Sequence, residues 1–200
     1  MPNVVWDQLP ERMELVVRKG EVFDRPAQAE LAAVFQEYED RAGFKLPLRY
    51  REFITWFGPG MFTGEWFAIA APTPARFREE VGDVFDLDKQ QEMVLDPEGY
   101  WASSCDPGKL KQLVLFASTE GGDWFFWDTS EVRNASEHEY AIYGHARHWS
   151  EAKVEFVALS FEAFITDVCL APVYPLGSNE EREVEFVHEP AWTARRKSAK

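Results

Sequence analysis

The chain has 200 residues and a mass of 23.1 kDa, the size of one domain or of one domain with a modest extension. Hydrophobic residues make up 46% and aromatics 15%, with 16 Phe and 8 Trp, which excludes a disordered or collagen-like chain; two cysteines exclude a disulfide-built scaffold. The net charge is −14, and −18 without residues 195–200, which hold four bases and no acid. A body this acidic is expected to be repelled by nucleic acid and anionic membranes and to attract a basic protein, although acidity also serves solubility alone. No apolar run reaches the ~18 residues of a membrane span. Residues 1–15 carry acids and Pro10 where a secretion signal needs a basic and then an apolar stretch, so a soluble, cytosolic protein is expected.

In chain order, residues 1–25 read as a loose extension with a short apolar stretch at 13–17. Pro26 can open a helix, Leu31, Val34, Phe35 and Tyr38 give it one apolar face, and Gly43 ends it. Leu46-Pro47 starts a second helix, with Tyr50, Phe53, Ile54 and Phe57 at helical spacing, and Gly58-Pro59-Gly60 reverses the chain. Residues 65–71 read as a strand. Thr73-Pro74 is a cap followed by a helix-opening proline, and Phe77, Val81, Val84 and Phe85 form the next helical face, weakened by Gly82. Residues 113–117 and 124–128 are two strands joined by the turn Glu120-Gly121-Gly122-Asp123, and 139–143 is a third. Ser160 caps a last helix through Phe161, Phe164, Ile165 and Val168. Residues 184–187 add a strand, and a mobile basic tail follows Trp192. Strands joined by tight turns imply antiparallel pairing, so the pattern predicts a single α+β domain with helices packed on a small, mainly antiparallel sheet.

The familiar chemical signatures fail. Gly58, Gly60 and Gly64 follow a helix and have the wrong spacing for a dinucleotide loop. His145 and His148 can share a helical face, but Cys105, Cys169 and the other histidines are too scattered to complete a zinc site. Asp123, Asp128 and Glu120 are the best candidates for a carboxylate pair, and Asp123 has the competing role of shaping its turn. No catalytic, cofactor or metal site is therefore assigned. Residues 79–98 hold eight acids and one lysine, a net of −7, with Asp83, Asp86 and Asp88 at the centre; a calcium loop's spacing and glycine are absent. This stretch is either a solvated helix face or an acidic docking surface. Trp66, Trp101, Trp124, Trp127 and Trp149 are candidate interface anchors against a default of core packing. In Trp124-Phe125-Phe126-Trp127 alternate residues face opposite sides of the sheet, so an open face would expose two of them. Trp101, set among Tyr100, Pro97 and Pro107, is expected to be the most exposed.

Three segments in order carry a resemblance. Leu46-Pro47 is followed by Tyr50, Phe53-Ile54 and glycines. Leu115-Phe116-Ala117 is followed by Gly121-Gly122-Asp123 and the aromatic strand ending at Asp128. Leu159-Ser160-Phe161 opens the closing helix. Across residues 27–170 the chain resembles the SUKH superfamily, the domain of fungal Smi/Knr cell-wall regulators and bacterial immunity proteins, except that Phe57-Gly58-Pro59-Gly60 stands where members end in Asn-Gly-Gly. The resemblance implies a SUKH-like domain at 26–171 with an insert at about 72–110, between an N-terminal extension (1–25) and a C-terminal one (172–200). It carries no shared active site. It implies a non-enzymatic protein-binding role, that of an antidote to a toxin domain, a basic nuclease being a natural target for an acidic body. The expected contact is Asp83, Asp86 and Asp88 with Trp101, Glu120, Gly121, Gly122, Asp123 and Trp124. The alternatives are a regulatory scaffold without a toxin, and a small-ligand binder or hydrolase using the carboxylates near Asp123.

Overall fold

The structure is a computed structural model that describes residues 6, 9, 14–16, 28–63, 67–74, 81–146, 153–174, 181 and 183–188. Trp66, Phe77, His148, Trp149 and the tail from Trp192 lie outside them. The elements in order are β1 (Glu14–Val16), α1 (Gln28–Ala42), α2 (Leu48–Phe57), β2 (Gly60–Phe62), β3 (Phe67–Ile69), α3 (Leu87–Leu95), α4 (Tyr100–Ser104), α5 (Pro107–Leu110), β4 (Leu113–Ser118), β5 (Trp124–Asn134), β6 (Glu139–His145), β7 (Glu155–Ala158), α6 (Phe161–Phe164) and β8 (Glu185–His188). All eight strands lie in one sheet, in the order β1-β8-β2-β3-β4-β5-β6-β7. Only β1 and β8 pair in parallel; the other neighbours are antiparallel. This is the predicted α+β class, with a larger sheet than expected.

The first two helices form as the spacing predicts. Leu31, Phe35 and Tyr38 of α1 are buried, and Gly43 closes the helix at φ +75° with its N–H on the Glu39 carbonyl. Tyr50, Phe53, Ile54 and Phe57 of α2 are buried, and the left-handed Gly58 ends it in the same way. The reversal expected at 58–60 is partly a strand. Gly60 in β2 has to be glycine because a Cβ there would lie 2.5 Å from both the Phe186 ring and the Val187 carbonyl of β8. The extensions thus join the sheet: β8 lies between β1 and β2, and Phe186 is fully buried among Phe53, Phe57 and Phe62.

The sheet has two cores. On one face α1, α2 and α6 pack on Phe116, Phe125, Trp127 and Ile142. Trp127 stacks on Phe116 with centroids 4.3 Å apart, and Phe161 meets Trp6, Tyr50 and Phe53. On the other face Val94, Trp101 and Leu110 cover Leu113, Leu115 and Phe126, with Trp124 packed against them. The aromatic run alternates as predicted, but neither face is open at β5, because the insert folds over the second one.

That insert is where the sequence reading needs most correction. A helical face through Val81–Phe85 is not formed among the described residues; Asp83–Phe85 is a single 3₁₀ turn. The helix follows it, inside the acidic stretch. Asp86 caps α3, accepting the N–H groups of Asp88 and Lys89, and Leu87, Gln90 and Val94 turn inward. Leu113 and Leu115 lie beyond the reach of the short β3, and the Gln91 amide serves them as a substitute strand, donating to the Leu113 carbonyl and accepting from the Leu115 N–H.

Glu139 fastens the other layer. This buried carboxylate accepts the Arg49 N–H at the start of α2 and the Phe161 N–H at the start of α6, at 3.2 and 3.1 Å. Burial raises its pKa above the ordinary 4.5, against the downward pull of those two donors.

Candidate protein-binding surface

The residues predicted to meet a partner divide into an exposed set and a structural set. Asp83 is exposed in its 3₁₀ turn, and Glu120 and Gly121 are exposed at the tip between β4 and β5. Gly122 is half-buried at φ +88°, a conformation the turn needs and glycine supplies. Trp124 is half-buried at the edge of the second core.

The rest are engaged inside the fold. Trp101 is 1% exposed, not the exposed member of the set. Its ring packs on Trp124, Phe126 and His145 at centroid distances of 5.1–5.2 Å, and the exposed aromatic is its neighbour Tyr100. Proline and glycine around Trp101 mark the ends of short helices rather than an open loop. Asp86 is 3% exposed because its carboxylate is the α3 cap. Asp88 is half-buried and forms an ion pair with Arg41 at 2.5 Å, tying α3 to the end of α1.

Asp123 is buried too. Its main chain closes the turn with Thr119, whose N–H donates to the Asp123 carbonyl at 2.8 Å and whose hydroxyl accepts the Asp123 N–H at 3.0 Å. Its carboxylate accepts the Tyr174 hydroxyl at 2.6 Å, and Tyr174 packs edge-on against Phe67. Asp128 is likewise buried, between Lys109 Nζ and the Ser130 N–H and hydroxyl. Burial pushes its carboxyl up, but these hydrogen bonds outweigh burial and leave the pKa below the ordinary 3.8. Of the carboxylates considered for catalysis, Asp123 and Asp128 thus each hold a structural partner, while Glu120 is exposed at the tip of the turn.

Among the described residues no group of three or more His, Cys, Asp or Glu is placed to hold a metal. His145 is buried, with Nε2 3.3 Å from the Tyr100 hydroxyl. Cys105 and Cys169 form no disulfide, and burial raises the Cys105 thiol above its usual pKa. No helix of the described residues is long and apolar enough to cross a membrane.

The sequence reading missed a groove of about 780 Å³ along the outer stripe of α3. Asp88, Gln91, Glu92 and Leu95 line it at helical spacing, Arg41 of α1 stands across from them, and Asp96 and Pro97 end it. Asp86, Asp88, Glu92 and Asp96 outnumber Arg41 and Lys89 there by two charges. Leu95 is 49% exposed, and Met93 and Val84 are exposed nearby in the chain.

Both faces of the sheet are covered, and Asp86, Asp123 and Asp128 are engaged in a cap, a turn and an ion pair, which defines an α+β domain built on one helix-covered sheet. The model of the SMI1 / KNR4 family (SUKH-1) matches residues 31–167, about two thirds of the chain, and the chain belongs to that family. The match contains the insert and agrees with the resemblance drawn from the three segments. No curated protein matches the sequence.

Proposed function

We propose that this chain is a non-enzymatic protein-binding domain that neutralises a basic toxin domain in the cytosol. The observation that carries the reading is the division of the acids. Asp86, Asp123 and Asp128 are buried in structural roles, while Asp83, Glu92, Asp96, Glu98 and Glu120 remain exposed. A net charge of −14 spread over such a surface speeds association with a basic partner and makes it sensitive to salt. Family membership supports the binding role. A toxin that holds nucleic acid needs the basic surface this domain would cover.

The test has two stages. The tagged chain is used to capture its partner from the native lysate at low and high salt, with identification by mass spectrometry. The partner is then expressed alone and together with this chain. A stoichiometric, basic, salt-released partner that stops growth alone and not in company is the expected result. A partner that is harmless alone overturns the antidote reading in favour of a regulatory scaffold. Turnover of a small molecule that is lost with Asp123→Asn or Asp128→Asn overturns the non-enzymatic one.

A further inference from the structure

Strand pairing carries the second face of the sheet outward from Phe126 to Tyr143, and from Tyr143 to Phe156 of β7. Cover is lost along the way: Phe126 is fully buried, Tyr143 is half-buried and Phe156 is 49% exposed. The Tyr143 and Phe156 rings meet edge to face with centroids 6.0 Å apart. Lys109 Nζ stands 5.2 Å from the first centroid, and the Arg133 guanidinium 5.8 Å from the second. The strand β7 ends the sheet, and no described strand pairs with its outer edge. Partly exposed rings beside an arginine and an unpaired edge are the ingredients of an interface.

Charge selects the occupant. Each of three cations here has its own acid: Lys109 with Asp128, Arg133 with Glu131, and Lys153 with Glu155. These pairs cancel, on a chain whose net charge is −14. A basic partner gains nothing from a neutral patch, whereas two copies of an acidic chain approach there with least repulsion.

We propose that β7 pairs antiparallel with β7 of a second copy of this chain, about a two-fold axis at Glu155, so that the two sheets become one. The pleat requires directly opposed residues to share a face. With the axis at Glu155, Phe156 of each copy lies opposite Val154 of the other, an aromatic to β-branched pair, and Val154 already packs against the second core. The two Glu155 side chains then face each other. Lys153, 2.6 Å from Glu155 within each chain, balances them, so two acids and two lysines share the axis. A lysine on an edge strand ordinarily opposes such pairing; here Glu155 offsets its charge. The acids Asp83, Glu92 and Asp96 take no part in this contact, so the dimer goes beyond the proposed function and does not depend on it.

Sedimentation equilibrium of the full chain over a wide concentration range tests the pairing. A monomer–dimer equilibrium in the micromolar range is the expected result, as suits a small interface. Raising salt from ~0.05 to ~0.5 M is expected to tighten it several-fold, because screening removes the repulsion between two acidic bodies. That sign is opposite to the one expected for a basic partner. Glu155→Lys, which gathers four lysines at the axis, and Phe156→Asp are each expected to weaken the dimer about tenfold or more. Both positions are exposed, so thermal melts should stay unchanged and show that the variants fold. Glu155→Cys is expected to give a covalent dimer on mild oxidation, with the disulfide between the two substituted positions, since directly opposed Cβ atoms lie about 5 Å apart. A chain that stays monomeric at several hundred micromolar overturns the proposal. So does a dimer that salt weakens, that neither Glu155→Lys nor Phe156→Asp disturbs, or that Glu155→Cys does not link.

Discussion

On one face of the sheet the covering layer is α1, α2 and α6; on the other it is α3, α4 and α5. The first layer contains helices of 15 and 10 residues with continuous apolar stripes, while the second is made of helices of 9, 5 and 4 residues. Phe161 alone faces five rings in the first core. In the second, Trp101 takes the central place, and capping aspartates at Asp86 and Asp106 supply what helix length does not. The first face is held by burial spread over many residues. The second is held by one large ring and a few polar fastenings, so damage to it should stay local.

Truncations at the centre of each layer test that contrast most severely. Phe161→Ala is expected to lower global stability by about 4 kcal/mol in chemical denaturation. Trp101→Ala is expected to cost about 3 kcal/mol, with increased hydrogen exchange concentrated in α3, α4 and α5. Equal loss of protection in α1 and α2 would show that the layers unfold as one.

The polar fastenings come next. Glu139→Ala leaves the N–H groups of Arg49 and Phe161 without their acceptor and is expected to cost about 2–3 kcal/mol. Its pH dependence has a definite sign. The folded pKa is raised above 4.5, so the folded state binds the proton more tightly, and stability from this group rises as pH falls through that window. Glu139→Gln lacks this gain, so the advantage of the native chain over it should grow on acidification. Asp128 behaves oppositely. Its pKa lies below 3.8, so its contribution is complete above that value and is lost as pH falls through the folded pKa. Asp128→Asn is expected to cost about 1 kcal/mol near neutral pH, less than for a fully buried pair because Lys109 is partly exposed, and the difference should vanish in acid. Urea titrations at several pH values separate the two signs.

The smallest effects concern the surface. Asp86→Ala is expected to cost about 1 kcal/mol through the lost α3 cap, so it probes folding rather than partner contact. Glu92→Lys with Asp96→Lys is expected to change stability by under about 0.5 kcal/mol and to flatten the salt dependence of partner binding. Thermal melts and binding at two ionic strengths check both.

The contrast between the layers also explains what was legible. Helices α1, α2 and α6 and strands β4 to β6 announce themselves because their apolar residues recur at one period over several turns or alternate along a strand. Helix α3 shows only Leu87 and Val94 on its inner face, with Gln90 between them, so its acids dominate the pattern and it reads as a charged patch. Gly60 reads as a turn because its reason, the Phe186 ring, is 126 residues away. The turn at 120–123 is plain in the sequence, but the anchoring of Asp123 depends on Tyr174, 51 residues on, and no local signal marks it. Exposure of Trp101 was misjudged for the same kind of reason: the surface it covers comes from other segments.

The stretch that identifies the family and the stretch that completes the sheet have different lengths. The family match stops at residue 167, yet Phe186 of β8 fills the space among Phe53, Phe57 and Phe62, and β8 shields the outer edge of β2. A chain shortened to the matched residues would uncover a row of unpaired main-chain groups next to three phenylalanines, the combination that promotes strand-to-strand self-association. Expression boundaries for this protein are therefore better set by the sheet than by homology.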